Sequence, residues 1–364
     1  MAGAPLDLAP NVQRYDTVQA LRFVAALLVV ITHSTFYASE RLDPDLFVWK
    51  GGTVGVDIFF VISGFVMMIT APPFQKVSGG WRYFAMRRVT RIVPMYWIAT
   101  TAKIAMILIL PGAAINSALT PGHVISSYLF LPTRNESGSV EPVLGVGWTL
   151  TFEMFFYAVF AVGLLLRANP YIFATIIMCL AAAGHLLRGD GDWPVWAFYF
   201  DKVVLYFVIG MTIAKIVSSN RLRRFVPYML GGLVAIAGVL IILGQLDWSR
   251  NAWLRTVVVT FIVLAAVASD RLLTGRIPRP VLFFGDASYS LYLFHPLLAP
   301  LVPAILALIG LEVGWLSVIG SITAALVGSA LIYVWVEKPI TRGARKLPFA
   351  GRLPQPSKVP AAAA

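Results

Sequence analysis

The sequence is poor in charge. Only 13% of its 364 residues are Asp, Glu, Lys or Arg, where soluble domains carry about a quarter. Hydrophobic residues make up 59% and the mean hydropathy is +0.79. This excludes an ordinary soluble globular chain and indicates a polytopic membrane protein. Cysteine is nearly absent: the lone Cys179 lies in an apolar run, so no internal disulfide can form. Acidic residues are scarce beside basic ones, 17 against 29, giving a formal charge of +12. In a soluble protein that surplus would suggest nucleic acid. Here the basic residues cluster between apolar runs, the positive-inside pattern, and no nucleic-acid partner is expected. There is no internal repeat and no separate soluble domain. One membrane domain is expected over residues 1–346, followed by a disordered cytoplasmic tail at 347–364, rich in Pro and Ala.

About ten apolar runs are long enough to cross a bilayer. They lie near 18–37, 53–71, 92–110, 146–166, 171–187, 196–216, 227–246, 253–269, 285–310 and 315–336. One alternate set of loops carries most of the Lys and Arg. The other holds only Arg41, Lys50, Arg134, Arg188, Arg250 and Arg255. The expected fold is therefore all-α with about ten transmembrane helices and both termini cytoplasmic.

Charged and polar residues inside the runs are the candidates for function, because they are costly in lipid. The first run, ALRFVAALLVVITHS, carries Arg22 and His33 eleven residues apart. Eleven steps of about 100° bring both to one helix face, about 16 Å apart along the axis. A secretory signal is the alternative reading of this run, but Arg22 and His33 stand inside its apolar region. Arg87, Arg88 and Arg91 precede the third run in WRYFAMRRVTRIVPMYW. Asp57 lies in GVDIFFVISGF, Glu153 in GWTLTFEMFFY and His295 in SYSLYLFHP. The layout suggests arginines at the cytoplasmic mouth and a histidine with two carboxylates toward the outside. Each residue has a plainer reading as well. The arginines of the third run suit simple anchoring, Arg22 suits snorkelling to the interface, and His33 suits a hydrogen bond to a neighbouring helix. Gly55 and Gly64 suit close helix packing.

Taken together, these stretches resemble the acyltransferase-3 family of bacterial integral-membrane O-acyltransferases. The arginine and histidine of the first run, GVDIFFVISGF, RRVTRIVPMYW, GWTLTFEMFFY, ASYSLYLFHP and WVEKP follow one another in the family's order over roughly residues 15–340. One departure is visible: Glu153 is followed by Met154, where many members have a second acidic residue. Some members carry an added SGNH hydrolase-like domain. None is expected here, so the resemblance is to the stand-alone exopolysaccharide and O-antigen type.

The resemblance implies transfer of an acyl group, usually acetyl, from cytoplasmic acyl-CoA to a hydroxyl of an extracytoplasmic glycan or glycolipid. It implies a multi-pass protein of the bacterial inner membrane, acetyl-CoA or another acyl-CoA as donor, and no metal. Arg22, Arg87, Arg88 and Arg91 would then bind CoA phosphates. His33 would act as general base or acyl carrier, with Asp57 or Glu153 orienting it. Trp148, Tyr289, Tyr292 and His295 would hold the acceptor. A proton-coupled transporter is the alternative for carboxylates and a histidine in spans, though the inverted repeat expected of it is missing. A channel or scaffold would have no use for the arginines.

Overall fold

In a computed structural model, residues 14–109, 119–135, 137–188, 193–218, 251–351 and 353–354 are described. These residues are almost wholly helical, with one isolated backbone bridge between Arg134 and Val140. Among them, eight helical stretches are long and apolar enough to cross a membrane.

The first helix, α1 (Asp16–Arg41), is continuous through both Arg22 and His33. It is lined with small buried residues, among them Ala25, Ala26 and Ala38. Small side chains let neighbouring backbones come close, which suits a helix with partners on every side. Those partners are α2 (Val54–Thr70), α8 (Ala252–Leu273), α9 (Arg279–Asp286), α10 (Ser288–Leu298), α11 (Leu301–Leu308) and α12 (Gly314–Ile332). Between α2 and α8 the chain forms α3 (Gly80–Ile109), α4 (Pro121–Tyr128), α5 (Trp148–Leu165), α6 (Pro170–Arg188) and α7 (Leu205–Ser218). α2 and α7 meet at a reciprocal glycine contact. A Cβ on Gly64 would stand 2.1 Å from the Phe207 carbonyl oxygen, and one on Gly210 would stand 1.9 Å from that of Val61. Gly55 of α2 meets the Ala25 carbonyl of α1 in the same way, at 2.2 Å.

Several boundaries differ from those expected. The third span begins at Gly80, not near 92, so Arg87, Arg88 and Arg91 lie within α3. Arginine is a good helix former, and its apolar stem tolerates an apolar surrounding. Here Arg87 covers the Phe74 ring and Arg88 those of Phe84 and Tyr157. The sixth span starts as two 3₁₀ turns, Val195–Tyr199 and Lys202–Val204, before the fourteen-residue α7. Asp201 causes the interruption: its carboxylate accepts from the Val203 amide at 2.9 Å and pairs with Arg188 at 3.3 Å. The expected seventh span, 227–246, lies outside the described residues. The ninth is broken into α9, α10 and α11, with Ala287 between the first two and Ala299-Pro300 between the last two. The last span runs from α12 through a π-helical turn, Tyr333–Glu337, into α13 (Lys338–Ala344). Past the expected domain boundary at 346, the Phe349 ring meets Tyr83 and the Gly351 carbonyl accepts from Arg87 at 2.6 Å.

Candidate active site

At one end of the bundle three arginines share a buried space with two carboxylates. Arg22 comes from α1, and Arg88 and Arg91 come from α3, three residues apart on one face. Glu153 of α5 accepts from Ser63 of α2 at 2.6 Å and from Tyr157 one turn along its own helix. Arg88 stands over the Tyr157 ring. Glu337 is 2% exposed; it accepts from Ser290 of α10 at 2.6 Å and lies 3.9 Å from Arg91. Arg22 is within electrostatic reach of Arg91, Glu337, Asp286 and Glu153, of which Asp286 is already paired with Arg14 at 3.3 Å. The π-helical turn in the last span is what carries Glu337 to this point, and such turns recur at functional sites. With three guanidiniums against two carboxylates the cluster is cationic, and it has donors to offer an added anion. Arg87 stands apart, its guanidinium engaged by the Gly351 carbonyl and the Phe74 ring.

About 16 Å further along α1, by the helix rise, His33 meets His295 of α10. The His295 ring has no exposed surface. Its Nδ1 lies 2.8 Å from the Tyr292 carbonyl oxygen and 3.2 Å from that of Leu291. Two acceptors there place the hydrogen of the neutral ring on Nδ1 and leave Nε2 with its lone pair. That Nε2 is 3.2 Å from Nδ1 of His33, which also lies 3.0 Å from the Val29 carbonyl oxygen. His33 Nδ1 therefore faces two acceptors and carries the hydrogen. Its Nε2 is left as a bare lone pair, the form required of a base. His33 lines a cavity of about 570 Å³, together with Asp57, Trp148, Tyr292 and Arg255.

The carboxylates do not orient His33. Asp57 is 4% exposed and is held by Arg255 of α8, whose Nε donates to it while Nη2 donates to the Thr53 carbonyl at 3.1 Å. Glu153 belongs to the arginine cluster. The place expected for a carboxylate beside His33 is filled by His295, which lies behind His33 and out of reach of an acceptor. Of the other residues expected to hold the acceptor, Trp148 and Tyr292 line the cavity. Tyr292 also shares its hydroxyl with Thr149 and the Val146 carbonyl. Tyr289 donates to the Ile92 carbonyl at 2.8 Å and is used there. Sequence reasoning missed four partners: Ser63, Tyr157, Arg255 and Glu337. Glu337 had a visible signal, an acidic residue at the end of an apolar run in WVEKP. Arg255 had one too, standing inside the apolar run that follows Trp253.

Comparison with known proteins gives the family of the chain. A family model described as an acyltransferase domain matches residues 15–334. The exopolysaccharide production protein ExoZ of Rhizobium meliloti is 33% identical over 324 residues, covering 85% of this chain and 95% of the relative. The acyltransferase MdmB of Streptomyces mycarofaciens is 25% identical, over 79% of this chain and 80% of its own. The peptidoglycan O-acetyltransferase OatA of Listeria monocytogenes is 24% identical over 90% of this chain, which spans 56% of that longer protein. No solved structure matches at a significant level. The matched range contains Arg22, His33, Arg88, Arg91, Glu153 and His295, with Glu337 just beyond it, and the chain belongs to the acyltransferase-3 family of membrane O-acyltransferases.

Proposed function

We propose that this membrane O-acyltransferase moves an acyl group, in the first instance acetyl, from acyl-CoA to a hydroxyl of a surface glycan. The observation that carries the reading is the placement of His33 Nδ1, 3.0 Å from the Val29 carbonyl oxygen and 3.2 Å from His295 Nε2; a hydrogen on Nδ1 satisfies both and leaves the Nε2 lone pair for the work of a base. The acceptor hydroxyl gives its proton to Nε2 as its oxygen attacks the thioester carbonyl. The tetrahedral adduct then expels the CoA sulfur, which takes the proton back from the imidazolium. Proton transfer of this kind contributes about 10²–10⁴-fold.

Arg22, Arg88 and Arg91 supply donors for the phosphates of CoA, since guanidinium and phosphate pair by charge-assisted, bidentate hydrogen bonds. The roughly 16 Å between Arg22 and His33 along α1 suits an extended pantetheine arm that leads from the phosphates to the base. The excess of Lys and Arg in one set of loops puts the arginine end on the cytoplasmic side, where CoA is found, and the His33 cavity toward the outside. An exopolysaccharide acceptor is supported by the likeness to ExoZ, and a bacterial inner membrane follows from that assignment.

The test is CoA release from acetyl-CoA by purified protein in nanodiscs, with and without surface polysaccharide. Arg88→Ala is expected to weaken CoA binding. His33→Gln is expected to abolish release and leave binding intact. Full transfer by His33→Gln would remove the base, and no binding of acyl-CoA by the wild type would remove the whole scheme.

A further inference from the structure

The cavity in front of His33 holds a cation that the transfer chemistry does not use. Lys103 of α3 lines it, half-buried, together with Arg41, Arg255, Asp57 and Glu141. Twelve residues separate Lys103 from Arg91 along α3, about 18 Å by helix rise. α1 and α3 run the same way from the arginine cluster, so Lys103 stands at about the height of His33. Its ammonium makes no hydrogen bond or ion pair among the described residues. Arg41, on the same cavity, adds a second positive charge that acts on it. Asp57, the buried carboxylate of the cavity, is engaged by Arg255. Glu141 is solvent-exposed and makes no ion pair with Lys103. An ammonium partly withdrawn from water without a counter-charge is unfavourable. An anion entering the cavity would relieve that cost, at a site partly withdrawn from water where attraction is less screened than in bulk.

We infer that Lys103 is the recognition site for an anionic group on the acceptor, so that the glycan taken by this cavity is an acidic one, bearing a carboxylate or a phosphate ester near the hydroxyl to be acylated. This deepens the acyltransferase reading and rests on it. Lysine is a point charge and not a planar fork, so it selects charge and leaves the geometry of the anion open. Trp148 and Tyr292 also line this cavity and offer ring surfaces to the sugar.

The test uses two matched pairs of oligosaccharides and titration calorimetry on the protein in nanodiscs. One pair is a glucuronate-bearing tetrasaccharide and its carboxyl-reduced counterpart. The other is a phosphorylated oligosaccharide and its dephosphorylated form. The wild type is expected to bind at least one acidic member about tenfold more tightly than its neutral twin, with the gap narrowing as salt is raised. Lys103→Met is expected to erase that preference without weakening the neutral sugar, and Lys103→Arg to keep it. The pair that shows the preference identifies the anion. No preference in either pair overturns the inference, and so does a preference that survives Lys103→Met. A third comparison, succinyl-CoA against acetyl-CoA with a neutral acceptor, separates the other possible source of a carboxylate. If Lys103→Met changes that ratio and leaves the sugar preference alone, the ammonium serves the acyl group and the acceptor assignment falls. CoA release is measured alongside. Anion preference without acyl transfer would remove the acyltransferase scheme and leave the anion site standing.

Discussion

His33 Nδ1 and His295 Nε2 lie 3.2 Å apart, so the second ring joins the Val29 carbonyl in favouring a hydrogen on Nδ1 of the first. A carbonyl fixes the hydrogen on His295 Nδ1, His295 Nε2 then accepts from His33 Nδ1, and the lone pair emerges on His33 Nε2. His295 is thus a positioning residue, acting through His33. His295→Phe removes one of the two acceptors, while the Val29 carbonyl still holds Nδ1. The expected loss in kcat is therefore smaller than for His33→Gln, roughly 10- to 100-fold, as for other outer partners that orient a working histidine. KM for acyl-CoA is expected to stay unchanged. His295→Gln, whose carbonyl oxygen can replace Nε2 as acceptor, is expected to recover part of the rate. Steady-state kinetics of the three variants checks this; a raised KM with normal kcat in His295→Phe would place the ring in binding instead.

Asp57 and Arg255 form a pair in which each depends on the other. Their side chains are 6% and 24% exposed. Asp57→Leu leaves a guanidinium without its anion, and Arg255→Leu leaves a buried carboxylate. Either change is expected to cost up to roughly 3 kcal/mol, because a stranded charge is worse than an absent pair. The double variant is expected to unfold at a higher temperature than either single one. Thermal unfolding in detergent reads the order directly, and a double variant less stable than both would show that the pair adds nothing beyond its separate contacts.

The fold was legible in this sequence to the extent that depth in the membrane is legible. Apolar runs gave the helices, and the spacing of Arg22 and His33 gave one face of α1. What the runs do not contain is which helix lies beside which. Glu153 and Asp57 both looked like partners for His33 because each is a carboxylate inside a span. Their actual partners, Tyr157 and Ser63 for Glu153, and Arg255 for Asp57, are set by how the helices rotate and pack. By sequence alone the arginines of α3 lie before a helix, since charge usually marks its end. The rings of Phe74, Phe84 and Tyr157 make room for them within it. Gly55 and Gly64 are legible as contact points, since only a missing side chain allows such an approach.

The contact between α2 and α7 is open to a sharp test. A Cβ at Gly210 would fall 1.9 Å from the Val61 carbonyl oxygen and 2.7 Å from the Phe65 amide nitrogen. Both are backbone atoms of α2, so neither can swing away. Gly210→Ala must push the helices apart, and its cost is expected at or above the roughly 3 kcal/mol upper end of ordinary overpacking. Gly343→Ala is the control, since nothing lies within 4 Å of a Cβ there. The unfolding temperature of Gly210→Ala should fall well below that of the control. Equal values would mean that α2 and α7 do not touch at this point.

The charge balance among Arg22, Arg88, Arg91, Glu153 and Glu337 gives a final prediction. Glu337→Gln keeps a carbonyl oxygen for Ser290 but removes one of the two negative charges facing three guanidiniums. At 3.9 Å the ion pair with Arg91 is loose, so the direct loss is modest, on the order of 1–3 kcal/mol for a buried charged partner left unmet. The larger consequence is for ligand binding. With Glu337 neutral, an entering phosphate has one competitor fewer for the arginines and a stronger field to enter. The free variant is therefore expected to melt below the wild type. Saturating CoA is expected to raise its melting temperature by more than it raises that of the wild type, since stabilisation by a ligand grows with its affinity. Dephosphorylated pantetheine should give no such difference. Equal shifts with CoA in the two proteins would mean that its phosphates are held elsewhere than among these guanidiniums.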